Sequence, residues 1–212
     1  MINILLADDH VIIRAGLKTF ISNYIAHSVI DEVGEGNDAL KKVREKNYQL
    51  IILDVNMPNT DSFGLVSNII ACKPDSNILM FSMNSEDIYA KKYLLLGAKG
   101  FLSKASPELE IRKALDKVIS GNRYISPELN HVFTEELLGK RTDNPFEKLS
   151  VREFEIVLHL LKGESLSDIC NVLHLQPSTV GTHKARLFQK LMCTNVVDLL
   201  ALAKVYNVIQ VS

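Results

Sequence analysis

Leu50-Ile51-Ile52-Leu53-Asp54-Val55-Asn56-Met57-Pro58 is the stretch that decides how the chain is read. Four apolar residues in a row predict a strand buried on both faces, the mark of a parallel sheet. The run stops at a carboxylate. Pro58, Asn59 and Asp61 then mark a turn, with Gly64 just beyond. In open parallel α/β sheets, chemistry sits outside the carboxyl ends of the strands. Asp54 would stand at such an end.

The flanking sequence repeats the theme. Ile2–Ala7 predicts a short strand ending at Asp8 and Asp9, and His10–Tyr24 a helix with Val11, Ala15, Leu17, Phe20 and Ile21 on its apolar stripe. Ser28–Val33 reads as a strand closed by Gly34 and Gly36, and Asn37–Lys46 as a helix. Beyond Asp54 come a helix over Ser62–Cys72 stopped by Pro74, a strand Asn77–Phe81 ending in Ser82, a helix Ser85–Leu96 stopped by Gly97, and a strand Gly100–Ser103 ending in Lys104. Ser106-Pro107-Glu108 opens a further helix to Gly121, with Ser106 as cap. Five βα units in succession predict a parallel sheet with helices on both faces.

A single aspartate after a strand is usually a turn residue or a helix cap. Here four strand ends carry polar groups (Asp8/Asp9, Asp54, Ser82, Lys104), and the fold gathers those ends on one edge. Three carboxylates held close repel unless a cation lies among them. An all-oxygen set suits Mg²⁺, which keeps waters and leaves room for a phosphate oxygen. Lys104 offers a charge for an anion, Ser82 a hydroxyl, and Asp54 a nucleophile for a phosphoryl group.

These residues resemble a known family. Asp8-Asp9, Leu53-Asp54-Val55-Asn56-Met57-Pro58-Asn59-Thr60-Asp61, Ser82 and Gly100-Phe101-Leu102-Ser103-Lys104 look like the receiver domain of two-component response regulators, over roughly the first 120 residues. The resemblance implies a flavodoxin-like (βα)5 fold around a central parallel sheet, with Asp54 as phosphoacceptor. Asp9, Asp54 and the Asn56 carbonyl would hold Mg²⁺, with Asp8 assisting. Lys104 would contact the phosphoryl group, Ser82 would swing toward it, and Phe101 would turn inward behind it. Two positions depart from the family pattern. Ser62 stands where glycine is usual, and Met83 is larger than its usual counterpart, so that it could screen the phosphoryl group from water.

Residues 1–121 are thus one expected domain and residues 122–146 a linker, with a short helix after Ser126-Pro127 and a polar tether from Gly139 to Pro145. Residues 147–212 read as four helices without a strand. Ser150-Val151-Arg152-Glu153 is a capping box, and Ser165 and Ser178 are the expected caps of a short helix and of the long helix Thr179–Leu191. Thr194 or Asn195 would cap the last helix. Short helix, turn, long helix fits both a helix-turn-helix and a small bundle for protein contacts. Leu149-Ser150-Val151-Arg152-Glu153, Gly163-Glu164-Ser165, Ser178-Thr179-Val180-Gly181-Thr182-His183 and Lys190-Leu191 resemble the LuxR-type helix-turn-helix. A receiver followed by this small all-α domain resembles the NarL/FixJ class of transcription factors. Candidate DNA contacts are Thr179, Thr182, His183, Lys184, Arg186 and Lys190, the last group of cations suiting phosphates more than bases. Gly181, Ala185 and Val196 replace basic residues common in relatives, and residues 149–212 hold six Lys/Arg against five Asp/Glu.

Composition agrees. The chain of 212 residues fits one large or two small domains, and its net charge of −1 gives no bulk attraction for polyanions. Cys72, Cys170 and Cys193 form no close pair, which fits a reducing cytoplasm. No stretch approaches a membrane span or a signal peptide. The expected protein is a cytoplasmic response regulator that takes a phosphoryl group from a sensor histidine kinase onto Asp54, pairs as a homodimer and binds promoter DNA. It would not be an enzyme beyond slow autodephosphorylation. The alternatives are a regulator acting through protein contacts and a phosphatase using Asp54; Asn56 stands where such phosphatases want a second aspartate.

Overall fold

A computed structural model describes residues 1–138 and 144–208. The chain forms two compact units, Met1–Phe133 and Thr134–Ser212. The first five residues of the expected tether, 139–143, lie outside the described residues.

The first unit is a five-stranded parallel sheet of β1 (Ile2–Ala7), β2 (Ser28–Val33), β3 (Leu50–Leu53), β4 (Ile78–Ser82) and β5 (Gly100–Ser103), in the order β2-β1-β3-β4-β5. Between them run α1 (Val11–Tyr24), α2 (Gly36–Glu45), α3 (Ser62–Cys72), α4 (Glu86–Leu95) and α5 (Glu108–Ile119). Strand side chains alternate between faces. Ile4, Leu6, Leu50, Ile52, Leu79 and Phe81 pack with Leu17 and Ile21 of α1 and Ala114, Leu115 and Val118 of α5. Their neighbours Leu5, Ile51, Leu53, Met80 and Phe101 are buried too. All four residues of β3 are enclosed, as a strand covered on both faces requires.

Local chemistry moves several boundaries. Val11 and Ala15, expected on the apolar stripe of α1, are exposed; the core takes the side of Leu17 and Ile21, spaced one turn apart, with Ile13 and Phe20 flanking. Ser106 does not cap α5, whose N-cap is Pro107 with no side-chain bond. α4 ends where Gly97 takes φ +108, a conformation costly for any residue with a Cβ.

After α5 the chain turns back along β5. The Tyr124 N–H donates to the Lys99 carbonyl (2.8 Å), and Tyr124 bridges to Gly100 in parallel register. A Cβ on Gly100 would come 2.9 Å from the Leu79 side chain and 3.2 Å from that of Tyr124, so glycine permits the approach. Ser126 then caps α6 (Pro127–Leu137), its Oγ accepting from the Leu129 N–H (3.1 Å) and donating to Glu86. The first compact unit therefore includes the start of α6.

The second unit holds a 3-10 turn (Pro145–Lys148), α7 (Val151–Leu161), α8 (Leu166–Leu173), α9 (Pro177–Leu191) and α10 (Val196–Val205). Phe146, Phe154, Ile156, Ile169, Val180, Leu187 and Leu199 form its core. Capping boxes start α7 (Ser150/Glu153) and α8 (Ser165/Asp168), and Asn195 caps α10. α9 starts earlier than expected, because Pro177 occupies the first helical position with Gln176 as N-cap. Ser178 is thus inside the helix. No helix among the described residues is long and apolar enough to cross a membrane.

Candidate functional site

Sheet register builds the first site. Ala7 pairs with Leu53 at the ends of β1 and β3, and the Asp54 N–H donates to the Ala7 carbonyl (2.8 Å), so Asp8 and Asp54 leave the sheet side by side. Ser82 pairs with Ser103, and the Lys104 N–H donates to the Ser82 carbonyl (2.8 Å). Lys104 can therefore reach back over the edge. Its Nζ lies 2.9 Å from Asp54 Oδ2 and 2.7 Å from Asp8 Oδ2. The three side chains are 5%, 2% and 2% exposed. Asp9 stands at the same mouth, about one-third exposed.

Burial pushes the Asp54 carboxyl above the usual aspartate range. The Lys104 hydrogen bond and charge and the Asn56 backbone N–H pull it back in part, while Asp8 adds to the rise. Asp54 Oδ1 is enclosed without a hydrogen-bond partner; Asp8 Oδ2 is near Lys104 and Asp9 Oδ1 near His10 Nδ1 (2.8 Å), both poorly aligned for a hydrogen bond. Oxygen atoms left in this state among three carboxylates fit a small divalent cation.

The switch candidates lie beside this edge. Ser82 is fully buried, and its Oγ accepts from the Asn84 N–H (3.1 Å). Phe101 is already inward at 1% exposure, its ring 6.1 Å from that of Tyr93. Tyr93 also stacks on Phe63 (4.2 Å), and its hydroxyl bonds Ser62 Oγ (2.7 Å). The serine found where glycine is usual therefore ties α3 to α4. Asn56 is exposed, with its amide 3.4 Å from that of Asn84. Met83 is about half exposed.

Two features escape a reading by sequence pattern. His10 joins the acid site: its Nδ1 is 2.8 Å from Asp9, 3.3 Å from Asp8 and 3.9 Å from Asp54. Its place directly after Asp8-Asp9 was the available signal. Glu86 accepts from both the Ser103 N–H (3.2 Å) and Ser126 Oγ, and burial raises its carboxyl above the usual range. Its partner Ser126 lies 40 residues away, so spacing gave no sign of it.

The second site is α9. A left-handed His174 (φ 52, ψ 43) ends α8 and lets the chain turn into Gln176 and Pro177. Val180, Leu187 and Leu191 point inward, leaving Pro177, Ser178, Gly181, Thr182, Ala185, Arg186, Gln189 and Lys190 exposed. Thr179 is half-buried, and Thr182 donates its hydroxyl to the Ser178 carbonyl (2.9 Å). His183 is half-buried, with Nδ1 enclosed and unbonded. The Lys184 ammonium sits 5.7 Å over the Phe188 ring. Lys190 bonds Glu153 (2.6 Å), a nearly buried residue.

Comparison with known proteins places both units. Residues 4–116 match the response regulator receiver domain, and residues 147–203 match the bacterial regulatory proteins of the luxR family. The chain is 32% identical to the response regulator UvrY of Escherichia coli K12, over 96% of this chain and 94% of that one. It is 30% identical to the response regulator GacA of Pseudomonas aeruginosa, over 96% and 95%. In fold it is similar to RcsB of Salmonella enterica serovar Typhimurium, solved bound to the promoter rprA with a phosphomimetic (TM-score 0.77, 21% identity, 96% and 99% covered). The chain belongs to the two-component response regulators of the NarL/FixJ class, a receiver joined to a LuxR-type DNA-binding domain, and is a transcription regulator.

Proposed function

We propose that Asp54 accepts a phosphoryl group from a phosphohistidine of a sensor kinase and that the phosphorylated chain pairs and binds promoter DNA in the cytoplasm. The observation that carries this reading is the Lys104 ammonium between Asp8 and Asp54, with Asp54 Oδ1 enclosed and free. An Asp54 oxygen would attack phosphorus as the P–N bond of the donor breaks and the imidazole leaves with the bonding electrons. Lys104 would neutralise a phosphoryl oxygen, and Ser82 would donate its hydroxyl to another after leaving the Asn84 N–H. Asp8, Asp9, Asp54 and the Asn56 carbonyl would hold Mg²⁺, which when bound offsets charge on the group in transfer. Phe101, packed inward beside Tyr93, would follow Ser82. Any catalysis by the chain would be limited to slow loss of its own phosphoryl group.

Residues 1–121 would act as receiver, 122–146 as linker and 147–212 as DNA reader. Thr179, Thr182 and His183 are the base-side candidates; Lys184, Arg186 and Lys190 are the phosphate-side ones. A second reading, regulation through protein contacts, draws on the engagement of Lys184 with Phe188 and of Lys190 with Glu153, which ties two of the three phosphate-side cations of α9 to groups of the protein itself. The test is labelling by a small acyl phosphate. We expect Mg²⁺-dependent incorporation that Asp54→Asn abolishes. Equal labelling of that variant would exclude Asp54 as the acceptor. A salt series on promoter DNA with the labelled chain separates DNA binding from the protein-contact reading.

A further inference from the structure

We propose that His10 is a further ligand in the acid site and shifts its metal preference from Mg²⁺ toward transition-metal cations such as Co²⁺, Ni²⁺ or Zn²⁺. This rests on the reading of Asp8, Asp9 and Asp54 as a divalent-cation site.

His10 is the N-cap of α1, a position that favours Ser, Thr, Asp or Asn because their oxygens accept helix N–H groups. Its ring makes no such bond. Its own backbone N–H is held by Asp8 Oδ1 at 2.8 Å. The backbone is therefore fixed against the site while the imidazole is left over from capping, and the ring turns to three carboxylates instead. Lys104, only 5% exposed, occupies the deep side of Asp8 and Asp54; His10, 58% exposed, stands at the mouth.

One ligand atom from each of Asp8, Asp9, His10 and Asp54 can be chosen so that all lie within 4.8 Å of one another. Bonds of roughly 2.1 Å put opposite ligands of an octahedral ion about 4.2 Å apart, so four such atoms need only small rotations to share one ion. Asp54, 2% exposed, also keeps its Oδ1 enclosed at this edge without a hydrogen-bond partner.

The donor chemistry sets the preference. Mg²⁺ favours oxygen and keeps its waters. Imidazole adds little for Mg²⁺ but suits the borderline transition ions, whose affinity rises along the series toward copper. Three carboxylates alone would favour hard ions; three carboxylates with one imidazole favour softer ones.

The experiment is metal binding to the full chain and to His10→Gln, with Co²⁺ followed by visible absorption and by paramagnetic shifts of histidine ring protons, and Mg²⁺ by competition. His10→Gln should weaken Co²⁺ by at least about tenfold, the lower end of the roughly 10–100-fold cost of losing even an outer-sphere partner. It should change Mg²⁺ affinity far less than Co²⁺ affinity and remove one set of shifted ring resonances. An unchanged Co²⁺:Mg²⁺ ratio would overturn the proposal while leaving the acid site intact. Failure of the unaltered chain to bind either ion would overturn the cation-site reading itself.

Discussion

At the carboxyl edge of the sheet, Asp8, Asp54 and Lys104 meet in a nearly closed cluster with Asp9 at its mouth. Along the outer face of α9, the exposed positions Ser178, Gly181, Thr182, Ala185, Arg186, Gln189 and Lys190 carry two formal charges, that of Lys190 paired with Glu153. The first region concentrates charge where water is scarce and each Coulomb interaction is large; the second spreads a little charge where water and salt screen it. Receiver chemistry of this kind is intolerant of single changes. Recognition by a face like α9 is assembled from small increments, and two copies acting together multiply them.

The sharpest way to break this contrast is Lys104→Met. It leaves the Asp54 reaction without its charge partner, and the single-turnover rate of labelling should fall by about 10²–10³-fold, the scale on which a preorganised stabilising group acts. A rate equal to that of the unaltered chain would show that the concentrated charge does nothing for transfer.

Next in size is Glu153→Ala, which removes the Lys190 pair and the Glu153 half of the α7 capping box. The expected loss is about 1–2 kcal/mol in the second unit, read from urea unfolding. Burial pushes Glu153 up, but the Lys190 and Ser150 hydrogen bonds outweigh it and hold the carboxyl below the usual range. A lowered folded value means that its stability is fully present above the unfolded value of about 4.3 and is lost as pH falls through the folded one. The variant should lack this part of the acid limb. An identical limb in both proteins would show that Glu153 is no more than a surface charge.

The smallest effect sharpens the contrast from the other side. Nothing lies within 4 Å of a Cβ placed on Gly181. Gly181→Ala should raise stability by about 0.5–1 kcal/mol without altering the salt dependence of DNA binding. Gly181→Lys should steepen the slope of log K against log salt by about 0.9. Equal slopes for the two would mean that this part of α9 does not approach phosphate.

The same contrast explains what sequence could disclose. The strands were legible because β3 and its neighbours are apolar throughout and stop at chemistry-bearing residues: period, length and terminus agree at Asp54 and Lys104. Ser106 and Ser178 misled as caps because the proline beside each determines where its helix begins. Lys190 reads in sequence as a cation for phosphate; its partner Glu153 is 37 residues away and meets it only through packing of α7 on α9. His10 read as the first residue of a helix, since nothing in linear spacing tells which way an N-cap ring turns. Val11 and Ala15 looked apolar enough for the core, but geometry at Leu17 and Ile21 had already chosen the buried side of α1.

The Tyr124 bridge bears on where the chain can be cut. β5 is the last strand of its sheet, and an unprotected last strand is a template for pairing with another chain. Tyr124, 2% exposed, lies along it, and Leu129, also 2% exposed, anchors the segment that follows. A fragment ending at residue 121 would strip both away and bare the Lys99 carbonyl that Tyr124 satisfies. Two such fragments could then join through their open strands, an artefact of the cut that would mimic regulated pairing. A fragment ending at Phe133 keeps that margin closed.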